Sequence, residues 1–311
     1  MKPGVRRAAE ILQRGGLVAF PTETVYGLGG DASSKDAVSR LYAVKRRPLD
    51  HPVIVHFADS SLAFCWAREV PQAAIKLAAT FWPGPLTLIL KKSAKAGDFV
   101  TGGQDTVGLR VPAHPVAREL LRAFGGGVAA PSANRFGQVS PTTAAHVRAD
   151  LGEDVELVLD GGPSEVGIES TIVDLSAGEP ALLRPGRISA AELEAVLGAS
   201  VLAKQADAPR HSGGLERHYA PRTPARLVPT HELDQEIARL GAKVAVLAFS
   251  RPDERVDCWL RMPREPQAYA QKLYAALREL DSAQCEMILI EAPPEAPAWA
   301  GVRDRLERAT G

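Results

Sequence analysis

The sequence is poor in cysteine, poor in aromatic residues and without any charge imbalance. Cys65, Cys258 and Cys285 are its three cysteines in 311 residues. They are too few and too scattered for a disulfide framework or a zinc site, and such sparse usage fits a reducing compartment. Lys plus Arg and Asp plus Glu stand at 37 each, so the formal net charge is zero. That argues against bulk electrostatic attraction to nucleic acid or membrane and makes any anion site a local one. No apolar run reaches the roughly 20 residues that cross a bilayer. The opening "MKPGVRRAAEILQRGGLVAF" has no uninterrupted apolar core of the signal-peptide kind. A cytoplasmic protein with no membrane partner is the expectation.

Several chemical signatures are also missing. The glycines at 27, 29 and 30 follow neither the Walker spacing with its Gly-Lys-Ser/Thr ending nor the dinucleotide fingerprint. There is no nucleophile elbow and no Cys/His pair with a local signature. The histidines at 51, 56, 114, 146, 211, 218 and 231 make no metal-binding pair on one helix face, so no metal held by protein side chains is expected. What remains is a binding-dominated mechanism, in which cations and hydroxyls orient ligands for direct transfer without a covalent enzyme intermediate.

What is present suits a globular α/β protein. The chain is 45% hydrophobic and 24% charged, enough apolar content for a sizeable core, and its length suggests about two domains. Helices alternate with short apolar strands: "RRAAEILQRG" then "LVAF", a helix through "AVSRLYAV" capped by Ser33 or Ser34, then strands at "VIVHF", "LTLIL", "VGLRV", "GVAAP", "ELVLD", "STIVDL" and "ALLRP". "FPTETVYGLGGDA" reads as a strand leading into a glycine-rich turn. "SAAELEAVLG" carries a capping box, Ser189 with Glu192, and stops at Gly198. The stretch 203–224 loses apolar periodicity and gains Pro and Gly, which marks a linker. Beyond it, helix and strand alternate again, as in a small parallel α/β domain. The division is 1–202, 203–224 and 225–311.

Four stretches offer polar groups at strand ends and in loops, where α/β proteins bind ligands. Thr22, Glu23 and Thr24 follow the first strand; alone they fit a structural turn as readily as a small-ligand site. Lys45, Arg46 and Arg47 end a helix, where cations also complement the dipole. Pro48 and Pro52 stiffen that turn, and His51 adds a donor, so Lys45 and the forked Arg47 suit phosphate oxygens. Arg110 lies within the apolar "VGLRV" and needs a partner, either a substrate carboxylate or an internal Asp or Glu. "VAAPSANRFGQVSPTTAAHV" has small residues that let a ligand approach the backbone. Ser140 there reads as an N-cap whose helix start would offer amides to a phosphate, or as a cap with no ligand. Ser170, Thr171 and Arg184 stand at further strand ends.

Taken together, "FPTETVYGLG", "KRRPLDHPVIVH", "WPGPLTLIL", "VGLRVP", "PSAN…G…SPTTAAHV", "GIESTIVDL" and "LLRPGRIS" resemble the YrdC/Sua5 family of threonylcarbamoyl-AMP synthases over about residues 8 to 198. "SGGLERHYAPRTP" is similar to the linker motif of the longer Sua5 type. The resemblance implies a YrdC-like twisted mixed sheet with surrounding helices, plus a small C-terminal Rossmann-like α/β domain. It implies synthesis of L-threonylcarbamoyladenylate from L-threonine, bicarbonate and ATP with release of pyrophosphate, Mg²⁺ accompanying ATP. The product would pass to a tRNA threonylcarbamoyltransferase for the t6A modification at tRNA position 37.

Carried over by motif, Thr24, His56, Arg110 and Ser170 fall at the threonine site, with Arg110 on the carboxylate. Arg47, His51, Thr106, Ala130, Ser132, Asn134, Ser140 and Arg184 fall around ATP, with Lys45 and Arg47 as the catalytic cations. Tyr219 would fold over the site from the linker. His51 stands where some members have lysine, and Ser212 where the linker motif often has proline. The rival readings are a tRNA or double-stranded RNA binding module, a carbamoyltransferase related to hydrogenase maturation proteins, and a regulatory ligand-binding protein. Zero net charge counts against the first; missing cysteine-rich fingers count against the second.

Overall fold

The structure, a computed structural model, describes residues 2–203, 208–241 and 243–311. Ten strands make one mixed sheet, in the spatial order Leu202–Ala203, Ala181–Arg184, Thr171–Asp174, Leu86–Lys91, Thr106–Arg110, Ile54–His56, Val128–Ala129, Gly27–Asp31, Val18–Phe20 and Leu157–Val158. Side chains alternate between its faces. Val55, Leu88, Leu109 and Ala129 enter a core shared with Leu41, Leu77, Val147 and Leu193 from the helices Lys35–Lys45, Gln72–Phe81, Ala144–Leu151 and Ala190–Leu197. On the opposite face, Val18, Phe20 and Val128 pack against the helices Pro3–Gln13 and Pro115–Phe124. A small patch of Ile89, Ile172, Ala181 and Leu183 covers the far end of that face. Between the two patches, polar alternate residues of its central strands line a cavity.

Local chemistry explains most boundaries. Ser34 caps its helix by accepting from Ala37 N at 3.2 Å, and Ser189 with Glu192 forms the full capping box read from the sequence. Two expectations need correction. Gly27–Asp31 is a strand rather than a glycine-rich turn, antiparallel to Val18–Phe20. A Cβ on Gly29 would come within 2.8 Å of Phe20 and 2.9 Å of Val128, so the glycine there clears room for its neighbours. Ser140 is not an N-cap: the helix begins at Ala144, and Thr143 caps it by accepting from His146 N at 3.2 Å.

The C-terminal sheet is all parallel, ordered Ala225–Val228, Met287–Glu291, Val244–Ala248, Cys258–Arg261. Val244 and Val246 pack on the helix Leu233–Leu240. Ala245 and Leu247 face the other way, toward the helices Pro266–Ser282 and Ala300–Thr310. That second cluster also takes in Val25, Val139, Ile168 and Tyr219 from loops beside the first sheet, so the C-terminal part packs against them. The three cysteines are free, and among the described residues no helix is long and apolar enough to cross a membrane.

Candidate functional site

That face of the mixed sheet holds a small, partly open cavity of about 50 Å³. Its depth comes from two neighbouring parallel strands in register, with His56 opposite Arg110. Because Val55 and Leu109 point into the core, His56 and Arg110 must point into the cavity. Both are buried, at 3% and 4% exposure.

Arg110 answers the question that a cation in an apolar strand poses. Its Nη2 donates to Glu23 Oε1 at 2.6 Å, Nη1 to Thr24 Oγ1 at 3.0 Å, and Nε to the Gly84 carbonyl at 3.3 Å. The "TET" turn is itself tied: Thr22 Oγ1 donates to the Val25 carbonyl, and Glu23 Oε2 accepts from the Ala113 amide. Three of the five guanidinium N–H groups are thus used, and two remain for a ligand. His56 stays neutral at physiological pH, because burial and then the Arg110 charge push its pKa down to about 3. Its Nδ1 is buried without a partner.

Ser170 exchanges a hydrogen bond with Thr87 at 2.8 Å and accepts from Arg184 Nη2 at 3.1 Å. Arg184 also donates to the Ser170 carbonyl and, through Nη1, to the Ser212 carbonyl at 2.8 Å. Arg47 donates to the His51 and Pro52 carbonyls and approaches Ser212 Oγ at 3.5 Å. Two cavity cations therefore hold the segment that lies over them. Tyr219, from the same segment, is 1% exposed with φ 62°. It is held in that strained backbone region by the rings of His218 at 4.1 Å and Tyr274 at 5.8 Å.

The structure thus brings Thr24, Arg47, His56, Arg110, Ala130, Ser132, Ser170, Arg184 and Tyr219 around one cavity. The other expected residues sit outside its wall. Lys45 is buried, and its ammonium donates to the carbonyls of Ser132 at 2.5 Å and Asn134 at 2.6 Å. Burial, followed by the Arg47 charge, lowers its pKa. Asn134 donates to the Gln138 carbonyl. The His51 ring rests on Phe136 at 5.4 Å. Thr106 lines a neighbouring hollow with Gln104 and Arg210. Ser140 donates to Glu169 Oε1 at 2.6 Å.

Sequence reasoning missed Glu169, Ser212, Gly213 and His218, which also line the cavity. Glu169 stands next to Ser170 in "GIESTIVDL", and its burial among strand-end residues was the available signal. Among the cavity's lining residues Glu169 is the one carboxylate, and both its oxygens accept from protein donors. The described residues hold no cluster of three metal-ligating side chains.

A neutral imidazole, a clamped guanidinium and two further arginines around a small polar cavity suit an amino acid beside an anion. The sequence model of the Sua5/YciO/YrdC family, described as "Telomere recombination", matches residues 10–186. The one described as "Threonylcarbamoyl-AMP synthase, C-terminal domain" matches residues 188–311. The chain belongs to the Sua5/YciO/YrdC family. It is 39% identical over 321 residues to a threonylcarbamoyl-AMP synthase of Pyrococcus abyssi, covering 99% of this chain and 94% of that protein. It is 39% identical over 325 residues to one of Bacillus subtilis, covering 99% and 93%. The solved structure of P. abyssi Sua5 complexed with L-threonine superposes with a TM-score of 0.93 at 38% identity, covering 98% of this chain and 94% of that one.

Proposed function

We propose that this protein is an L-threonylcarbamoyladenylate synthase that uses L-threonine, bicarbonate and ATP. The observation that carries the reading is full-length similarity to synthases of two organisms combined with a cavity that pairs an amino-acid half with a cationic half. In the first half, the two spare N–H groups of Arg110 meet the threonine carboxylate, and Thr24, His56 and Ser170 surround its amine and hydroxyl. A neutral His56 suits a deprotonated amine, because it adds no positive charge beside it.

The amine captures bicarbonate as a carbamate, with loss of water. A carbamate oxygen then attacks the α-phosphorus of ATP, the bond to the β-phosphate oxygen breaks, and pyrophosphate leaves. Arg47 and Arg184 neutralise charge developing on the phosphates. Lys45 contributes by fixing the Ser132 and Asn134 carbonyls, which shape the loop beside the nucleotide. Mg²⁺ arrives with ATP as substrate, held by phosphate oxygens.

Ligand pockets usually run to about 300–1,000 Å³, far more than the cavity of about 50 Å³ seen here. ATP therefore displaces Ser212 from Arg47 and Arg184 and takes over their donors. Residues 203–224, of which 204–207 lie outside the described residues, then act as the connection between a catalytic part, 1–202, and the α/β part, 225–311. Tyr219 screens the mixed anhydride from water. The product's place is before a tRNA threonylcarbamoyltransferase, in t6A formation at position 37, in the cytoplasm where ATP and tRNA are found. Direct RNA contact is at most weak, given the zero net charge.

The test is to incubate the purified protein with threonine, ATP, Mg²⁺ and bicarbonate and to follow pyrophosphate and a threonine-containing AMP adduct. Pyrophosphate release that continues unchanged without threonine sinks the reading.

A further inference from the structure

Glu169 presents a problem of charge. It lines a cavity that has to accept a polyphosphate, it is 7% exposed, and it remains ionised. Burial alone would raise its pKa, but Arg305, Arg184 and the hydrogen bonds it accepts hold it at about 2. A bare carboxylate there would repel phosphate oxygens and compete with them for Arg184.

The last helix of the chain supplies the answer. Arg305, 0% exposed, donates from Nε to Glu169 Oε2 at 2.8 Å and from Nη2 to the Glu169 carbonyl at 3.1 Å. Its Nη1 reaches the Pro185 carbonyl at 2.9 Å and Asp304 at 2.6 Å. Tyr274 donates to the same Oε2 at 2.8 Å, and Ser140 to Oε1 at 2.6 Å. The Arg305 guanidinium also lies 5.3 Å from the Tyr219 ring centroid. Oε2 accepts from two protein donors and Oε1 from Ser140, so both carboxylate oxygens are held by the protein. Glu23, the other acidic residue near the cavity, is likewise taken by Arg110. Arg47 and Arg184 are left on carbonyl and hydroxyl oxygens, which a phosphate can replace.

We propose that Arg305, with Tyr274, is a positioning residue for the nucleotide half of the site: it turns the Glu169 carboxylate away and keeps Arg47 and Arg184 available to phosphate. The C-terminal part thereby sets ATP affinity without touching ATP. This inference rests on the synthase reading and on Arg184 as a nucleotide contact.

The experiment measures KM for ATP and for threonine by pyrophosphate release. The variants are Arg305→Gln, Arg305→Gln/Glu169→Gln, Tyr274→Phe and Arg184→Ala. Arg305→Gln is expected to raise the ATP KM by about tenfold or more, the effect of a loss of about 1.4 kcal/mol, with the threonine KM held within about twofold. The double variant, which removes the stranded anion, is expected to recover most of the ATP affinity. A structural prop would show no such rescue. Tyr274→Phe, a loss of one hydroxyl, is expected to raise the ATP KM about threefold, and it decides the question should Arg305→Gln not fold. Parallel rises in both KM values, no rescue in the double variant, or an unmoved ATP KM in Tyr274→Phe with Arg305→Gln unfolded, overturns the proposal. If Arg184→Ala leaves the ATP KM unchanged, the site assignment itself fails; if it raises it and Arg305→Gln does not, only this inference falls.

Discussion

His56 and Arg110 are registered partners on adjacent parallel strands, 54 positions apart in the chain and side by side at the bottom of the cavity. The guanidinium helps keep the imidazole neutral, and Glu23 pairs with the guanidinium.

Replacing Arg110 by lysine keeps the charge and loses the fork. Lysine cannot serve Glu23, Thr24 and Gly84 at once, and half of a buried pair is left under-compensated, at a cost of about 3–5 kcal/mol for outright loss of one partner. Arg110→Lys is expected to raise the threonine KM at least tenfold, about 1.4 kcal/mol, and to lower Tm. A threonine KM that stays at the wild-type value removes Arg110 from the carboxylate site.

Acid should loosen the protein before its carboxylates titrate. His56 and His218 both have folded-state pKa values pushed down from 6.5 to about 3, chiefly by burial. Below pH 6.5 the unfolded chain binds protons that the folded chain refuses, so stability falls with pH from 6.5 down to about 3. Two such groups give a slope approaching about 2.7 kcal/mol per pH unit. Glu169, depressed from 4.5 to about 2, adds to the loss between those values. Urea unfolding between pH 7 and 5 checks this, and His56→Gln should flatten the curve. A flat wild-type profile across that range contradicts the burial of both imidazoles.

Lys45→Met is expected to lower stability and ATP affinity together. The two carbonyls that lose the ammonium, Ser132 and Asn134, are buried or nearly so, and each unmade hydrogen bond costs about 1–3 kcal/mol. Arg47→Ala also takes donors from the His51 and Pro52 carbonyls, so it is expected to lower Tm too, with the larger effect on ATP affinity. Thermal melts beside ATP titrations separate the two; a Lys45→Met protein that melts like wild type would move Lys45 from the loop to direct phosphate contact.

Gly213 has φ +76°, and a Cβ there would sit 2.0 Å from Tyr219 Oη. Gly213→Ala therefore cannot coexist with the observed Tyr219. Limited proteolysis without nucleotide should cut the segment 208–219 several times faster in this variant, while wild type resists. Identical digestion patterns would mean that Tyr219 is not held as seen here.

Local features were the most legible in the sequence. The Ser189–Glu192 box, the Ser34 cap and the alternating helices and strands are short-range chemistry, and they appear where the residues imply. The strand Gly27–Asp31 was hidden because glycine has no β-propensity of its own; the demand for it comes from Phe20 and Val128, which only the folded sheet brings close. Ser140 looked like a cap because it precedes Pro141 and a helix, but its hydroxyl is drawn to Glu169, 29 positions on. Arg110 was visible as a cation out of place in an apolar strand, Arg47 as part of a run at a helix end and Arg184 as a cation at a strand end. The identity of Arg110's partner was not, since Glu23 lies 87 positions away, and neither was the pairing of Glu169 with Arg305, 136 positions on.

The apolar cluster that runs from Leu273 and Tyr274 into Val25, Val139, Ile168 and Tyr219 has a consequence for cooperativity. The C-terminal part and the part that carries the cavity share that cluster, so a single calorimetric transition is the expected outcome. Deleting the last helix would take Arg305 from Glu169 and open that cluster to water. The second sheet is therefore less an appendage than the rear wall of the first.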